Sequence, residues 1–327
     1  MVNIVIMLSE KAEKTKTIYK RMSFFLSLGV AEPGKVSKFM AGFVRYNFNN
    51  MAKFFNVAKG AKYKEITLGG VPTWKVTTPN SDPKKILLFF HGGAYMVGSP
   101  KAYYPMMSYM ADITGFTVFV PDYRLAPENL FPSQLEDGIA TYKALIDDHG
   151  YSNDEIAIGG DSAGGNLSLV TFLKLRELNE ALPAAIICIS PWADPAATGE
   201  SYNEEMADKD PLIGPLFKKI WSKFNMKSAI GYYVKKEDVD QSNPLICPIN
   251  GDFSGCPPVM IQVGADELLL SDSRSMIKVF ERDGVIHEYK EWENLWHVFQ
   301  LDGEMEESTK SFEMFRDFLN SYIGTKV

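Results

Sequence analysis

Ile156-Ala157-Ile158-Gly159-Gly160-Asp161-Ser162-Ala163-Gly164-Gly165-Asn166-Leu167 joins a short apolar run to a helical stretch through a glycine-rich turn with a serine at its centre. Ile156 to Ile158 reads as a buried strand and residues 163 to 179 as an amphipathic helix. Gly-x-Ser-x-Gly alone is a weak pattern, because a glycine-rich chain meets it by chance; between a strand and a helix it is specific. A serine hydroxyl can be presented at the apex of so tight a turn only if its neighbours lack side chains, which Gly160 and Gly164 do. The helix that follows aims its N-terminal amides and positive dipole end at the same place, so the Ala163 amide can donate to a developing oxyanion. Ser162 is the candidate nucleophile.

Outward from this turn the chain alternates strand-length apolar runs with helical stretches, which is how a parallel sheet covered on both faces reads. The runs are Ile86 to Phe90, Thr117 to Val120, Ile156 to Ile158, Ala185 to Ile189, Val259 to Val263 and Ile286 to Trp292. Helices are predicted near 102–113, 134–148, 163–179, 272–283 and 304–322. Two alternating runs, Tyr63 to Leu68 and Thr73 to Thr77, flank Gly69-Gly70-Val71-Pro72 and predict a hairpin. The rhythm breaks between Ser190 and Pro258, where about sixty residues replace one crossover. That insertion carries Leu216, Phe217, Ile220, Trp221 and Phe224 at helical spacing. Together with a helical segment over residues 1 to about 60, it predicts an apolar lid, with Phe24, Met40, Met206, Phe217 and Phe224 as lid residues. No internal repeat or low-complexity linker divides the chain.

Composition narrows the chemistry. The 327 residues hold 34 Lys and Arg against 41 Asp and Glu, a formal net charge of −7, with no long basic run, which disfavours nucleic acid as a partner. Cys188, Cys247 and Cys256 are odd in number and form no CxxC, so neither a disulfide framework nor a zinc site is expected. The four histidines are scattered and no HExxH occurs, so no metal is expected; no dinucleotide or phosphate-loop fingerprint occurs, so no cofactor is expected. The apolar start Met1 to Leu8 lacks a basic segment before it and runs into charged residues, so it reads as part of the first helix and not as a signal. No stretch approaches the roughly 18 apolar residues of a membrane span. The expectation is a protein of the cytoplasm without stable membrane insertion, with a homodimer as a candidate assembly.

An enzyme transferring an acyl group needs a second amide facing the oxyanion. His91-Gly92-Gly93-Ala94, directly after the strand Ile86 to Phe90, offers the amides of Gly92 and Gly93, because paired glycines let a backbone approach a substrate closely. With this loop the sequence resembles the hormone-sensitive-lipase-like α/β-hydrolases, the bacterial family IV esterases and their arylacetamide-deacetylase relatives. The resembling features run in the family's order from about residue 85 to 300. They are His91-Gly92-Gly93-Ala94, Asp122-Tyr123-Arg124-Leu125-Ala126-Pro127-Glu128, Gly160 to Gly165, Ser190-Pro191-Trp192-Ala193-Asp194 and Trp296-His297-Val298-Phe299. Ala94 stands where the family usually has a third glycine, and it keeps an amide.

The resemblance implies an α/β-hydrolase fold with a mostly parallel central sheet and a helical cap. It divides the chain into a cap segment over 1–60 and a core over 61–327, with 195–250 as a cap insertion. It implies an esterase cleaving short- to medium-chain acyl esters of small molecules, with a receptor on the same fold or an amidase/deacetylase as the competing readings. His91 is then structural, and Tyr123 to Glu128 braces the active-site loops.

The order of the triad in this fold, Ser then acid then His, leaves His287 and His297 as bases. His287 lies inside an alternating strand, whereas His297 lies on the loop beyond it, so His297 is favoured. Val263-Gly264-Ala265-Asp266-Glu267-Leu268 offers two adjacent carboxylates for the acid, which point in different directions at a strand end. The count of three from Gly264 favours Glu267, the Asp-x-Leu pattern favours Asp266, and the spacing from Glu267 to Asp272 resembles one branch of the family. Glu267 is preferred.

Overall fold

The computed structural model describes residues 8–28, 30–32, 34–224 and 229–324. Of the apolar start, Met1 to Met7 lie outside the described residues, and α1 begins at Glu10.

Eight strands form one sheet: β1 (Lys62–Leu68), β2 (Val71–Thr77), β3 (Asp82–Phe90), β4 (Phe116–Pro121), β5 (Ile156–Asp161), β6 (Ala185–Ile189), β7 (Val259–Gly264) and β8 (His287–Trp292). Their order is β1-β2-β4-β3-β5-β6-β7-β8, antiparallel at β1–β2–β4 and parallel from there on. The hairpin turn is only Gly69-Gly70, both at positive φ, so Val71 and Pro72 belong to β2 and not to the turn.

The continuous apolar runs have a simple cause. Along β3, Ile86, Leu88 and Phe90 pack into one core and Leu87 and Phe89 into another, on the opposite face. The first core is closed by α4 (Ser133–Asp147), α5 (Ala163–Glu177) and α8 (Leu270–Asp283), through side chains such as Tyr142, Phe172 and Phe280. The second is closed by α3 (Pro100–Thr114) and α9 (Glu306–Asn320), through Met107, Met110, Phe312 and Phe315. α1 (Glu10–Leu28) and α2 (Lys38–Met51) extend the second core with Tyr19, Met22, Val44 and Phe48.

The insertion after β6 holds a short α6 (Glu204–Lys209) and α7 (Gly214–Phe224). α1 packs on both α2 and α7, so the N-terminal segment and the insertion meet above the carboxyl ends of the strands. Cys188 and Cys247 are buried, and none of the three cysteines is in a disulfide.

Candidate active site

β5 ends at Asp161 and α5 begins at Ala163, leaving Ser162 alone between them at φ 52°, ψ −118°. That backbone is unfavourable for any residue with a Cβ, and it persists because the main chain is held on both sides. The Ser162 amide donates to the Ile189 carbonyl at 2.9 Å, while the Ser162 carbonyl accepts from Trp192 at 2.9 Å and from Asn166 at 3.0 Å. The flanking glycines are required by space. A Cβ on Gly164 would lie 1.9 Å from the Phe90 carbonyl oxygen, and one on Gly160 would lie 2.3 Å from the Gly164 carbonyl carbon.

The loop after β3 corrects one expectation. The Gly92 amide does not face the cavity; it donates to Asp161 Oδ1 at 2.8 Å and to the Tyr103 hydroxyl at 3.0 Å, both buried. A donor so engaged has nothing left for an oxyanion. Gly93 and Ala94, by contrast, line the same cavity as Ser162, and their amides and that of Ala163 donate to no described residue. Gly92 must be glycine for another reason: a Cβ there would lie 2.2 Å from Asp161 Oδ2. His91 is buried and stacks on Tyr123 at 4.3 Å, its Nδ1 donating to the Gly92 carbonyl at 2.9 Å. Burial pushes its imidazole down to about 4, only partly opposed by that hydrogen bond, so it stays neutral. Tyr123 donates to the His91 carbonyl at 2.6 Å and the Ala126 amide to the Tyr95 carbonyl at 2.9 Å, so this segment braces the loop.

His297 follows β8 and shares the cavity with Ser162. Its Nδ1 lies 3.0 Å from Glu267 Oε1, with Glu267 0% and His297 2% exposed. A carboxylate can only accept here, so Nδ1 carries the proton and Nε2 keeps its lone pair. The other Glu267 oxygen accepts from the Gly264 amide at 2.8 Å and from Ser190 Oγ at 2.7 Å. Burial opposes a charge on His297, but the carboxylates of Glu267, Asp210 and Asp161 outweigh it and hold the imidazole above its ordinary range.

Asp266 is not part of this cluster. Its amide donates to the Leu295 carbonyl at 2.9 Å, and its half-buried carboxylate lies where it favours the Lys209 ammonium. Asp272 is buried elsewhere, accepting from the Asp194 amide and the Tyr202 hydroxyl. His287, the first residue of β8, donates to the Val285 carbonyl just before the strand, and His149 is exposed.

The cavity measures ≈ 240 Å³. Its floor is Gly93, Ala94, Asp161, Ser162 and His297; its walls are apolar, with Leu26, Val36 and Val44 from the N-terminal segment and Leu212, Leu216, Phe217 and Ile220 from the insertion. Of the five expected lid residues only Phe217 lines it; Phe24 points outward, 60% exposed. Among the described residues no group of three His, Cys, Asp or Glu is placed to hold a metal ion.

Residues 87–301 match the family described as the α/β-hydrolase fold. The chain belongs to the α/β-hydrolase family. An acetyl-hydrolase from Streptomyces hygroscopicus is 31% identical over 78% of this chain and 85% of its own. An esterase from Acinetobacter venetianus is 29% identical over 77% of this chain and 80% of its own. A solved esterase of the bacterial hormone-sensitive lipase family superposes with a TM-score of 0.84 at 29% identity, covering 98% of this chain and 100% of that one. Within the family, this hydrolase is of the hormone-sensitive-lipase-like kind, a serine hydrolase of esterase type.

Several residues that shape the hydrolase's site escaped sequence reading. Ser190 sits within a stretch quoted for its family resemblance, yet nothing local foretells its bond to Glu267. Asp210, in the turn between α6 and α7, is buried; one of its carboxylate oxygens accepts from the Leu212 and Ile213 amides at 2.9 and 3.0 Å, the other from Leu268 at 3.4 Å. It ties the insertion to the turn bearing Glu267. Arg45 donates from α2 to the Met96 and Ala126 carbonyls and forks onto Glu128. A buried acid and a half-buried arginine are signals only once burial is known.

Proposed function

We propose that this hydrolase cleaves short- to medium-chain carboxylic esters of small molecules through Ser162, His297 and Glu267. The observation that carries the reading is Ser162 on its strained turn, sharing an apolar cavity with a histidine whose far nitrogen is paired with a buried carboxylate. Ser162 Oγ attacks the ester carbonyl carbon as its proton passes to His297 Nε2. The oxyanion is held by the amides of Gly93, Ala94 and Ala163. When the tetrahedral intermediate collapses, the carbon–oxygen bond to the alcohol breaks and His297 returns the proton to the leaving alkoxide. Water, deprotonated by His297, then attacks the acyl-enzyme, and the acid leaves as Ser162 regains its proton. Glu267 keeps the tautomer and stabilises the imidazolium.

We assign residues 1–60 and the 195–250 insertion to a cap over the core. The apolar faces of α1, α2 and α7 on the cavity support this, and they favour an acyl chain over a polar substituent in the pocket. The test is a nitrophenyl-ester series of increasing acyl length, with fluorophosphonate labelling of the wild type and Ser162→Ala. Turnover and labelling that both vanish in Ser162→Ala are expected. A wild type that neither labels nor turns over any ester, while binding a small apolar ligand, overturns the reading in favour of a receptor.

A further inference from the structure

The outer face of α2 contradicts ordinary helix design. Its inner side is buried, with Val44 and Phe48 against the core and cavity, yet Phe39, Phe43 and Tyr46, spaced to share one stripe, face water. Phe39 is 82% and Tyr46 69% exposed. The C-terminal end of α1, the helix packed on α2, exposes Phe24, Phe25 and Leu28 as well. Six large apolar side chains exposed on two neighbouring helices mark a surface that something covers.

The charge around the patch says what. Residues 1–60 carry ten Lys and Arg and only three Asp and Glu, while residues 61–327 carry twenty-four against thirty-eight. Lys20 and Arg21, one turn before Phe24 and Phe25 on α1, and Lys35 and Lys38, just before Phe39, are exposed, and Lys20 and Arg21 form no ion pair with any described residue. The segment is therefore basic on a protein that is otherwise acidic. Aromatic side chains interleaved with lysine and arginine on a helix surface suit the headgroup region of an anionic bilayer.

We propose that the outer face of the N-terminal segment, whose inner face walls the cavity, docks the enzyme onto an anionic lipid surface. The acidic core is repelled by the same charges that attract α1 and α2, so the field orients the molecule as well as holding it. Docking is peripheral, since no described helix is long and apolar enough to cross a membrane. The same two helices whose outer faces would rest in the lipid line the apolar cavity with their inner faces, so docking brings the cavity that holds Ser162 to within one helix layer of the bilayer. A second copy is the poorer occupant. Two-fold pairing of this face sets basic segment against basic segment, a repulsion the lipid replaces with attraction. The docking stands without the esterase reading; only the delivery of substrate rests on it.

The test is cosedimentation of the full chain carrying Ser162→Ala with vesicles of phosphatidylcholine alone and of an equal mixture with phosphatidylglycerol. Expected is binding to the mixed vesicles, little to phosphatidylcholine, and release by added salt. Phe39→Ser/Phe43→Ser/Tyr46→Ser and, separately, Lys20→Glu/Arg21→Glu should each weaken binding at least about tenfold. In the Ser162 background both variants should leave turnover of water-soluble nitrophenyl acetate unchanged, which shows they are folded. The proposal is overturned if the parent ignores anionic vesicles, if either variant binds as the parent does, or if the apolar variant abolishes a dimer seen by light scattering while vesicles go unbound. Absence of nitrophenyl acetate turnover in every protein with vesicle binding intact would overturn the esterase reading and leave the docking standing.

Discussion

Glu267→Gln changes one oxygen for an NH2 group and tests the polarity of the whole hydrogen-bond chain. In the wild type one carboxylate oxygen accepts from the Gly264 amide at 2.8 Å and from Ser190 Oγ, and the other accepts from His297 Nδ1 at 3.0 Å. The amide oxygen of glutamine can occupy only one of these places. The Gly264 N–H can only donate, so the glutamine oxygen settles there and its NH2 faces His297. Nδ1 must then accept, the proton moves to Nε2, and the lone pair that should take the Ser162 proton is gone. The flipped amide restores the tautomer but sets NH2 against the buried Gly264 N–H, costing about 1–3 kcal/mol, which alone is roughly a 5- to 150-fold loss. The lost carboxylate charge on the imidazolium adds to this, so kcat should fall about 10³- to 10⁴-fold, the scale of the same substitution in serine proteases. The assay is nitrophenyl-ester turnover above the base's titration, corrected by active-site titration, with near-UV circular dichroism showing the fold kept. Asp266→Asn, the neighbouring carboxylate, should stay near wild type. A Glu267→Gln enzyme within tenfold of wild type, or an Asp266→Asn enzyme equally crippled, refutes the reasoning.

Asp210→Asn removes one of the three carboxylates that raise His297, leaving Glu267 and Asp161. His297 must be neutral to act as base, so activity rises with pH through its titration; the acid limb of kcat/KM should move to lower pH by about half a unit, and a limb that stays put or moves up contradicts the placement. Asp161 is pushed up to about 7, chiefly by burial, against 3.8 for an unperturbed carboxyl. The folded state thus holds this proton more tightly than the unfolded one, so the group's contribution falls as pH rises from about 4 to 7, by roughly 4 kcal/mol at the most. Asp161→Asn should therefore melt above wild type at pH 8 and lose that advantage at pH 5; the reverse order in thermal melts would refute it. Arg45→Ala should cost about 2–4 kcal/mol and lower kcat, because it frees the Met96 and Ala126 carbonyls and Glu128 together, whereas unchanged melting and turnover would show the fork to be idle.

The inner parallel strands β4, β5, β6 and β7 were legible because each is buried on both faces, which leaves a continuous apolar run; the edge strand β8, half-buried and exposed in alternation, was legible by its period of two. The sequence names Ser162, His297 and both carboxylates but not their arrangement. Local patterns point both ways, the count from Gly264 to Glu267 and the Asp-x-Leu pattern to Asp266, and support only a preference for Glu267; what separates the two is the direction each takes after β7, where the Leu295 carbonyl holds the Asp266 amide. The Gly92 amide was misread for a related reason. Its partners, Tyr103 and Asp161, stand 11 and 69 residues away, and a local pattern of paired glycines carries no information about them. Asp210 was invisible because a polar residue in a loop reads as solvated until the fold buries it.

The site concentrates strain that only tertiary contacts can hold. Ala94, Tyr95, Ser162, Ser190 and Val298 all sit at positive φ without being glycine, each at a cost of about 1–3 kcal/mol. The bonds that hold them come from distant parts of the chain, and two come from the N-terminal helices: Arg45 donates to the Met96 carbonyl beside Ala94 and Tyr95, and Tyr19 donates to the Val298 carbonyl at 2.5 Å, next to His297. Further bonds, Ser9 to Glu307 and Thr15 to Asp302, anchor the start of α1 to the core. The N-terminal segment is therefore more than a cover. The middle of α1 is fastened to the base loop through Tyr19 and α2 to the donor loop through Arg45, so a load applied to these helices bears on both loops that must stay aligned with Ser162.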